Sequence, residues 1–285
     1  MGPVAGALCL TDRGNAANED FVRVTESYGI VVDGASGLAG EPLFAPRFAT
    51  NAQWLSHVVG ERACAELEGG ASVDDALERA VGAARAELET AAGVALERMD
   101  PLAVPSATLA LAAVKGDVVE LRGLGDSPLA VLMRDGSLVV VTDEALEALD
   151  ARAVSLMALR DPGCALSGPE RRRLVDDVVR ANRLLRNVDG GYWSLDSSGD
   201  GLAHARRASL PREEVLAVAG MSDGMWRAFS EFGVAEAARE LVGLTPGRAH
   251  EIVRRLRELE ASDPDLARFP RLKRSDDASL FWIGL

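Results

Sequence analysis

Histidine and cysteine are scarce, three of each in 285 residues, and their scatter excludes several chemistries at once. His57, His204 and His250 stand far apart and outside any GxSxG or HExxH context, which removes support for a Ser-His-Asp hydrolase or a histidine-ligated zinc enzyme. Cys9, Cys64 and Cys164 are odd in number and form no CxxC pair, so neither a disulfide scaffold nor a thiolate zinc site is expected, and a cytoplasmic location is. Also missing are a GxxxxGK[ST] loop, a GxGxxG turn opening a helix after a first strand, and any uncharged apolar run near the roughly 18 to 20 residues of a membrane helix. Positive charge is short as well, with 31 Lys and Arg against 44 Asp and Glu for a formal net charge of −13. That balance repels nucleic-acid phosphates and anionic lipid, so neither nucleic acid nor a membrane is an expected partner. It leaves the oligomeric state open.

What is present is an ordinary globular composition, 48% hydrophobic and 26% charged, with enough apolar side chains for a sizeable core. Strands are expected at residues 3–10 and 20–33, the latter broken near 27–29, and amphipathic helices at about 46–68 and 72–98. "SATLALAAV", "GDVVELRGLG", "SPLAVLMR" and "GSLVVVT" then read as four short strands at the spacing of an antiparallel meander. Helical texture returns over 143–187, a Gly/Ser-rich segment reads as turns around a short strand, and "EEVLAVAGMSDG" is another apolar strand. Helices near 224–230, 233–242 and 246–261 precede a last strand, "DDASLFWIGL". Strands and helices come in blocks, which predicts an α+β layered fold over a doubly wound parallel sheet.

Carboxylates stand where these strands begin and end. Glu19 and Asp20 open the second strand, Asp33 closes the third, Asp126 lies in "GLGDS", Asp223 closes "VLAVAGMS", and Asp276 and Asp277 open the last strand. Asp-Gly is a common turn dipeptide, and those at 135, 189 and 200, with polar or Gly-rich flanks, read as turns. Asp33 and Asp223 differ because both end long buried runs, where an unpaired carboxylate is costly unless a cation or donors receive it. Several converging carboxylates would repel one another unless divalent cations neutralise them, and all-oxygen ligation selects Mg2+ or Mn2+. Two such ions sharing a carboxylate lower the pKa of a shared water, giving a hydroxide for in-line attack on a phosphoester without any side-chain nucleophile.

"NED" at 18–20, "VVDGASG" at 31–37, "PSATLALAAV" at 105–114, "GLGDS" at 123–127, "AGMSDGMW" at 219–226 and "DDASL" at 276–280 occur in the order and approximate spacing of the metal-dependent PP2C-type (PPM) protein phosphatases, which the whole chain resembles. Each tripeptide is weak alone, but six in register are a strong joint signal. The resemblance implies an α-β-β-α sandwich, two antiparallel sheets flanked by helical layers, as one domain over 1–285 with a variable flap-like insertion around 142–211. It implies two Mn2+ or Mg2+ ions and a third, weaker one. Asp33 looks like the bridging carboxylate, Gly34 like a backbone-carbonyl ligand, and Asp223 and Asp276 like further ligands. Glu19 and Asp20 look like residues that orient metal-bound waters, Asp126 like the ligand of the third ion, and Asp277, where the family often has Asn, like a supporting residue behind the ligands.

The chain departs from the pattern where substrate would bind. Asn15 occupies the position of a common phosphate-gripping arginine, leaving Arg13 as the nearest candidate, while Ala35 replaces a histidine and Pro128 an arginine. Within 142–211, "ERRRLVDDVVRANRLLR" reads as a solvated helix face, with Arg171 to Arg173 as candidates for gripping an anion, and Tyr192 and Trp193 read as strand packing. The expected activity is hydrolysis of phosphoserine or phosphothreonine in proteins. Two alternatives stand beside it, a phosphatase of small phosphomonoesters and a non-catalytic regulatory module on the same fold.

Overall fold

A computed structural model describes residues 6–35 and 37–285, so the first expected strand begins outside it, at 3–5, and residue 36 of the "VVDGASG" motif is also outside. Along the described chain come β1 (Gly6–Asp12), β2 (Asp20–Val24), β3 (Tyr28–Ala35), α1 (Asn51–Glu68), α2 (Val73–Ala92), β4 (Ser106–Lys115), β5 (Val118–Leu124), β6 (Leu129–Met133) and β7 (Leu138–Val141). Three helices follow, α3 (Glu144–Arg160), α4 (Gly168–Arg173) and α5 (Asp176–Arg183), then β8 (Leu195–Asp196), β9 (Arg206–Pro211) and β10 (Val215–Met221). The chain closes with α6 (Asp223–Ser230), α7 (Ala237–Glu240), α8 (Pro246–Ser262) and β11 (Ala278–Gly284).

The strands form two antiparallel sheets. One runs β1-β11-β10-β6-β7; the other runs β2-β3-β4-β5-β9, with β8 beside β4. The period of two along a strand sends alternate side chains into different cores. Ile30 and Val32 of β3 pack outward with Leu109 and Leu111 against Trp54, Leu55 and Leu88 of α1 and α2. Val31, between them, faces the other sheet with Ala110, Leu121, Val131, Val218 and Phe281. A third core lies where Leu132, Met221, Leu280 and Trp282 meet Met225, Ile252 and Leu256 of α6 and α8. Helix, sheet, sheet, helix is thus the order of layers, as expected, and strands buried on both faces explain why their sequences read as continuous apolar runs.

Two glycines bring the sheets together. A Cβ on Gly29 of β3 or on Gly220 of β10 would stand 2.3 Å from the ring of Phe281. The ring occupies the space that side chains at those positions would fill.

Helix ends follow local chemistry. Thr50 caps α1 by accepting the Gln53 N–H at 3.0 Å, so the helix starts later than residue 46. Ser72 caps α2 through Asp75 N–H, and Gly93, at φ 69°, ends it in a left-handed turn short of residue 98.

The expected four-strand meander is corrected. β4 and β5 pair with each other in one sheet, β6 and β7 in the other, and β5 pairs on its far side with β9. The link at 125–128 carries the chain across the sandwich instead of back along it. Gly125 makes that possible at φ +75°, where a Cβ would lie 2.5 Å from Thr108 Cγ2. Strand β9 has no counterpart among the strands expected from the sequence. It is an edge strand carrying Arg206, Arg207 and Pro211, residues that blunt an edge and disguise it in sequence.

Candidate active site

The acidic strand ends lie at one end of both sheets. Asp20 and Asp33 are register partners across β2 and β3, and Asp33 faces Thr108 of β4 on its other side. From the opposite sheet, Asp223 opens α6 two residues after β10 ends, and Asp276 lies two residues before β11 begins. The Asp223 backbone N–H points to Asp33 Oδ2 at 3.4 Å, so the two sheets meet through these residues. Asp126 joins them from the crossing link. Asp33, Gly34, Asp126, Asp223 and Asp276 all line one cleft of about 190 Å3.

Glycine is required at position 34 because a Cβ there would stand 2.6 Å from the Glu19 carbonyl oxygen, which instead accepts the Gly34 N–H at 3.2 Å. Glu19 is buried and its Oε1 accepts the Thr50 hydroxyl at 2.5 Å, tying the β2 entry to the start of α1. Asp277 faces away from the cleft and clamps the β1–β2 loop. Its Oδ1 accepts the N–H groups of Gly14 (2.8 Å) and Asn15 (3.3 Å), and its Oδ2 that of Glu19 (2.8 Å). Asn15 is held there and gives its amide to Asp276 Oδ1 at 2.9 Å. Arg13 is exposed, donates to the Ala16 carbonyl at 3.3 Å, and is not part of the cleft lining.

The crowding of like charges is the dominant electrostatic fact. Burial, joined by the charges of Asp277 and Asp276, pushes the Asp20 carboxyl up to about 7. Desolvation, then Asp20, Asp223, Asp276 and Asp126, holds Asp33 well above the usual carboxylate range. Asp126 is raised by desolvation and by Asp223 and Asp150. Asp276 goes the other way: burial works to raise it, but Lys273 and Arg227 outweigh burial and hold it low. The Lys273 ammonium lies 3.0 Å and 3.1 Å from the two Asp276 oxygens, and Arg227 Nη2 lies 2.7 Å from Asp223 Oδ2.

The donor set fits hard divalent cations. Both oxygens of Asp20 are buried without a hydrogen bond of good geometry, the neighbouring Ser279 hydroxyl donating to Thr11 instead, a costly state for a carboxylate that cations would relieve. Among the described residues no three such groups already surround a single point at ligand distance, and Asp223 and Asp276 are paired with Arg227 and Lys273. A raised pKa in the folded state stabilises the fold below the unfolded value of 3.8, and that stability is lost as pH rises through about 7. Asp20→Asn removes the charge. In chelator-treated protein its thermal midpoint is therefore expected to gain on the wild type between pH 5 and pH 8; a gap that does not widen with pH would contradict the unpaired Asp20.

The comparisons with known proteins decide the family. The family model described as protein phosphatase 2C matches residues 12–257. The chain belongs to the protein phosphatase 2C family. It is accordingly a metal-dependent phosphatase, a hydrolase of phosphoric monoesters. Solved structures share its fold at low identity. The Mycobacterium tuberculosis serine/threonine phosphatase PstP/Ppp is 20% identical with a TM-score of 0.55, and the alignment covers 98% of each chain. The catalytic domain of PstP in complex with 2 manganese ions is 18% identical, with 98% and 97% covered and a TM-score of 0.55. Stp1 from Staphylococcus aureus is 12% identical, with 100% and 96% covered and a TM-score of 0.57. No protein of curated function matches the chain.

Within this protein phosphatase 2C fold, the cleft holds residues that sequence reasoning did not single out. Asp150 of α3 lines it, raised by desolvation and by Asp223, and nothing in "EALDAR" distinguishes that acid from its neighbours. Arg227 stands four residues after Asp223, one helical turn on, so its spacing was a readable signal. Lys273 stands three residues before Asp276 in a loop whose course is not readable. That loop is set by Arg271, which is buried and bonds Asp263 Oδ2 at 2.7 Å together with the carbonyls of Phe269, Arg274, Glu260 and Asp263.

The other arginine candidates divide. Arg171 is buried, bonds the Asp265 and Leu266 carbonyls and pairs with Asp161 at 3.3 Å, so it fastens α4 to the loop after α8. Arg172 lines the cleft and pairs with Asp176; Arg173 is exposed. Tyr192 is buried against the cleft wall, and Trp193 stacks on His204 with ring centroids 3.4 Å apart. No helix among the described residues is long and apolar enough to cross a membrane.

Proposed function

We propose that this cleft hydrolyses phosphoserine and phosphothreonine esters of protein substrates. The observation that carries the reading is the gathering of Asp33, Asp126, Asp150, Asp223 and Asp276 around one cleft, with the unpaired Asp20 behind them, on a protein phosphatase 2C fold. In this reading Asp33, the Gly34 carbonyl, Asp223 and Asp276 hold two Mn2+ or Mg2+ ions, and Asp126 serves a third. When bound, the ions supply Lewis acidity toward phosphoryl oxygens and lower the pKa of water. Glu19 and Asp20 orient water at the rear of the cleft, with Glu19 fixed by Thr50. Asp277 positions Asn15 and the chain leading to Glu19, so its effect on the reaction is exerted through them.

Segment 142–211 supplies one wall of the cleft through Asp150, Arg172, Arg183, Tyr192 and Ser194, and we assign it the selection of substrate. Serine/threonine phosphatases among the structural neighbours support a protein substrate.

The test is hydrolysis of p-nitrophenyl phosphate and of phosphothreonine peptides by chelator-stripped protein, with and without Mn2+, against Asp223→Asn. Turnover that needs Mn2+, prefers the peptides and vanishes in the variant is the expected result. Preference for small metabolite phosphates would replace the protein substrate. Folded protein with no turnover on any ester would leave a binding module.

A further inference from the structure

The cleft that gathers five carboxylates is also lined by four basic side chains, Arg172, Arg183, Arg227 and Lys273. Two of these are committed to the very aspartates assigned to the metal ions. Lys273 sits on Asp276 with both oxygens at about 3 Å, and Arg227 sits on Asp223 at 2.7 Å while standing 4.0 Å from Asp276. A divalent ion that takes these carboxylates must compete with the ammonium and the guanidinium already there. Once displaced, neither cation can travel far, since each is tethered three or four residues from the carboxylate it leaves.

An anion then has to receive them. Arg227 Nη1 is already a buried donor with no partner. The loop that ends at β2 offers no alternative: Asn15 spends its amide on Asp276, and Arg13 turns outward to Ala16. A phosphoryl group has three oxygens to accept such donors, and a planar guanidinium beside an ammonium suits it.

We propose that Lys273 and Arg227 are the phosphate-gripping residues of this site, held on Asp276 and Asp223 until metal ions release them. The proposal rests on the phosphatase reading above. It makes the two residues opponents of metal binding and partners of phosphate binding, opposite signs that a merely structural role would not produce.

The experiment measures two affinities in the full chain, by titration calorimetry or the EPR signal of free Mn2+: Mn2+ for chelator-stripped protein, and inorganic phosphate for Mn2+-loaded protein. Lys273→Met is expected to bind Mn2+ about two- to fivefold more tightly and phosphate about two- to fivefold more weakly, the range for a partly exposed ion pair. Lys273→Arg is expected to return both toward wild type. Arg227→Gln gives the same pair of shifts through Asp223 and serves if Lys273→Met does not fold. Either shift without the other, or wild-type values for both variants, overturns the proposal while leaving the phosphatase reading intact. Wild-type protein that binds no Mn2+ and hydrolyses no ester overturns both.

Discussion

Asp33→Asn is expected to lower kcat/KM on p-nitrophenyl phosphate by on the order of 10^3-fold or more, and at the same time to raise the thermal midpoint of the metal-free protein. The loss follows from its position: Asp33 pairs in register with Asp20, receives the Asp223 N–H, and so stands where the proposed ligands of both sheets meet. Ion-mediated charge stabilisation contributes several kcal/mol to such a transition state, and each 1.36 kcal/mol is a decade in rate. The gain has the same origin. Desolvation and four neighbouring carboxylates hold the Asp33 carboxyl far above its ordinary range, so an uncharged amide of the same shape removes a repulsion. For a chain of this size each kcal/mol recovered is roughly 2–4 °C. Calorimetry of chelator-treated protein at pH 8, with parallel kinetics in Mn2+, checks both signs. An Asn variant that loses midpoint would mean that Asp33 is a structural acceptor and not a charge awaiting cations.

Phe281→Ala is expected to cost about 3–5 kcal/mol, lowering the thermal midpoint by roughly 10 °C. The ring is fully buried between the sheets, and the chain has cleared space for it with glycine on both sides, Gly29 and Gly220. Neighbours without side chains cannot collapse into the hole, so the cavity term is paid nearly in full. A second loss should accompany the first. Asp33 belongs to one sheet, and Asp223 and Asp276 flank strands of the other, so slack between sheets is expected to spread the three carboxylates proposed as ligands. Urea unfolding and Mn2+ affinity of the variant are the readouts. A cost below about 1 kcal/mol would show that the glycines serve some other purpose.

The residues of the candidate site were legible for a physical reason. A carboxylate at the end of a strand buried on both faces is costly unless a cation or donors receive it, which sets "VVDG" and "MSDG" apart from the turn Asp-Gly pairs without reference to the rest of the fold. Asp277 was readable only as a neighbour of Asp276; its three backbone N–H partners come from a loop more than 250 residues earlier in the chain. Lys273 and Asp150 were not legible, since one depends on how Arg271 folds a loop and the other on which turn of α3 faces the cleft.

The same distinction holds for the fold. Strand existence follows from apolar runs, but pairing does not: β6 is apolar on both faces, and Glu120 and Arg122 give β5 one polar face, where Arg122 pairs with Asp74 of α2, without indicating which sheet it joins. A single glycine at φ +75° decides it. Strand β9 is hidden by the arginines and proline that protect its edge.

The strand order of the first sheet has a consequence for synthesis on the ribosome. β1 pairs with β11 and with no other described strand, and Asp277 clamps the loop between β1 and β2. β1 therefore waits for β11, a contact of very long sequence separation and correspondingly slow closure. Until the segment from Asp276 through β11 arrives, the sheets lack Phe281, the Glu19 N–H lacks its Asp277 acceptor and the cleft lacks Asp276. A chain that stops short of Asp276 is therefore expected to hydrolyse no ester, since it has neither that carboxylate nor the ring between the sheets.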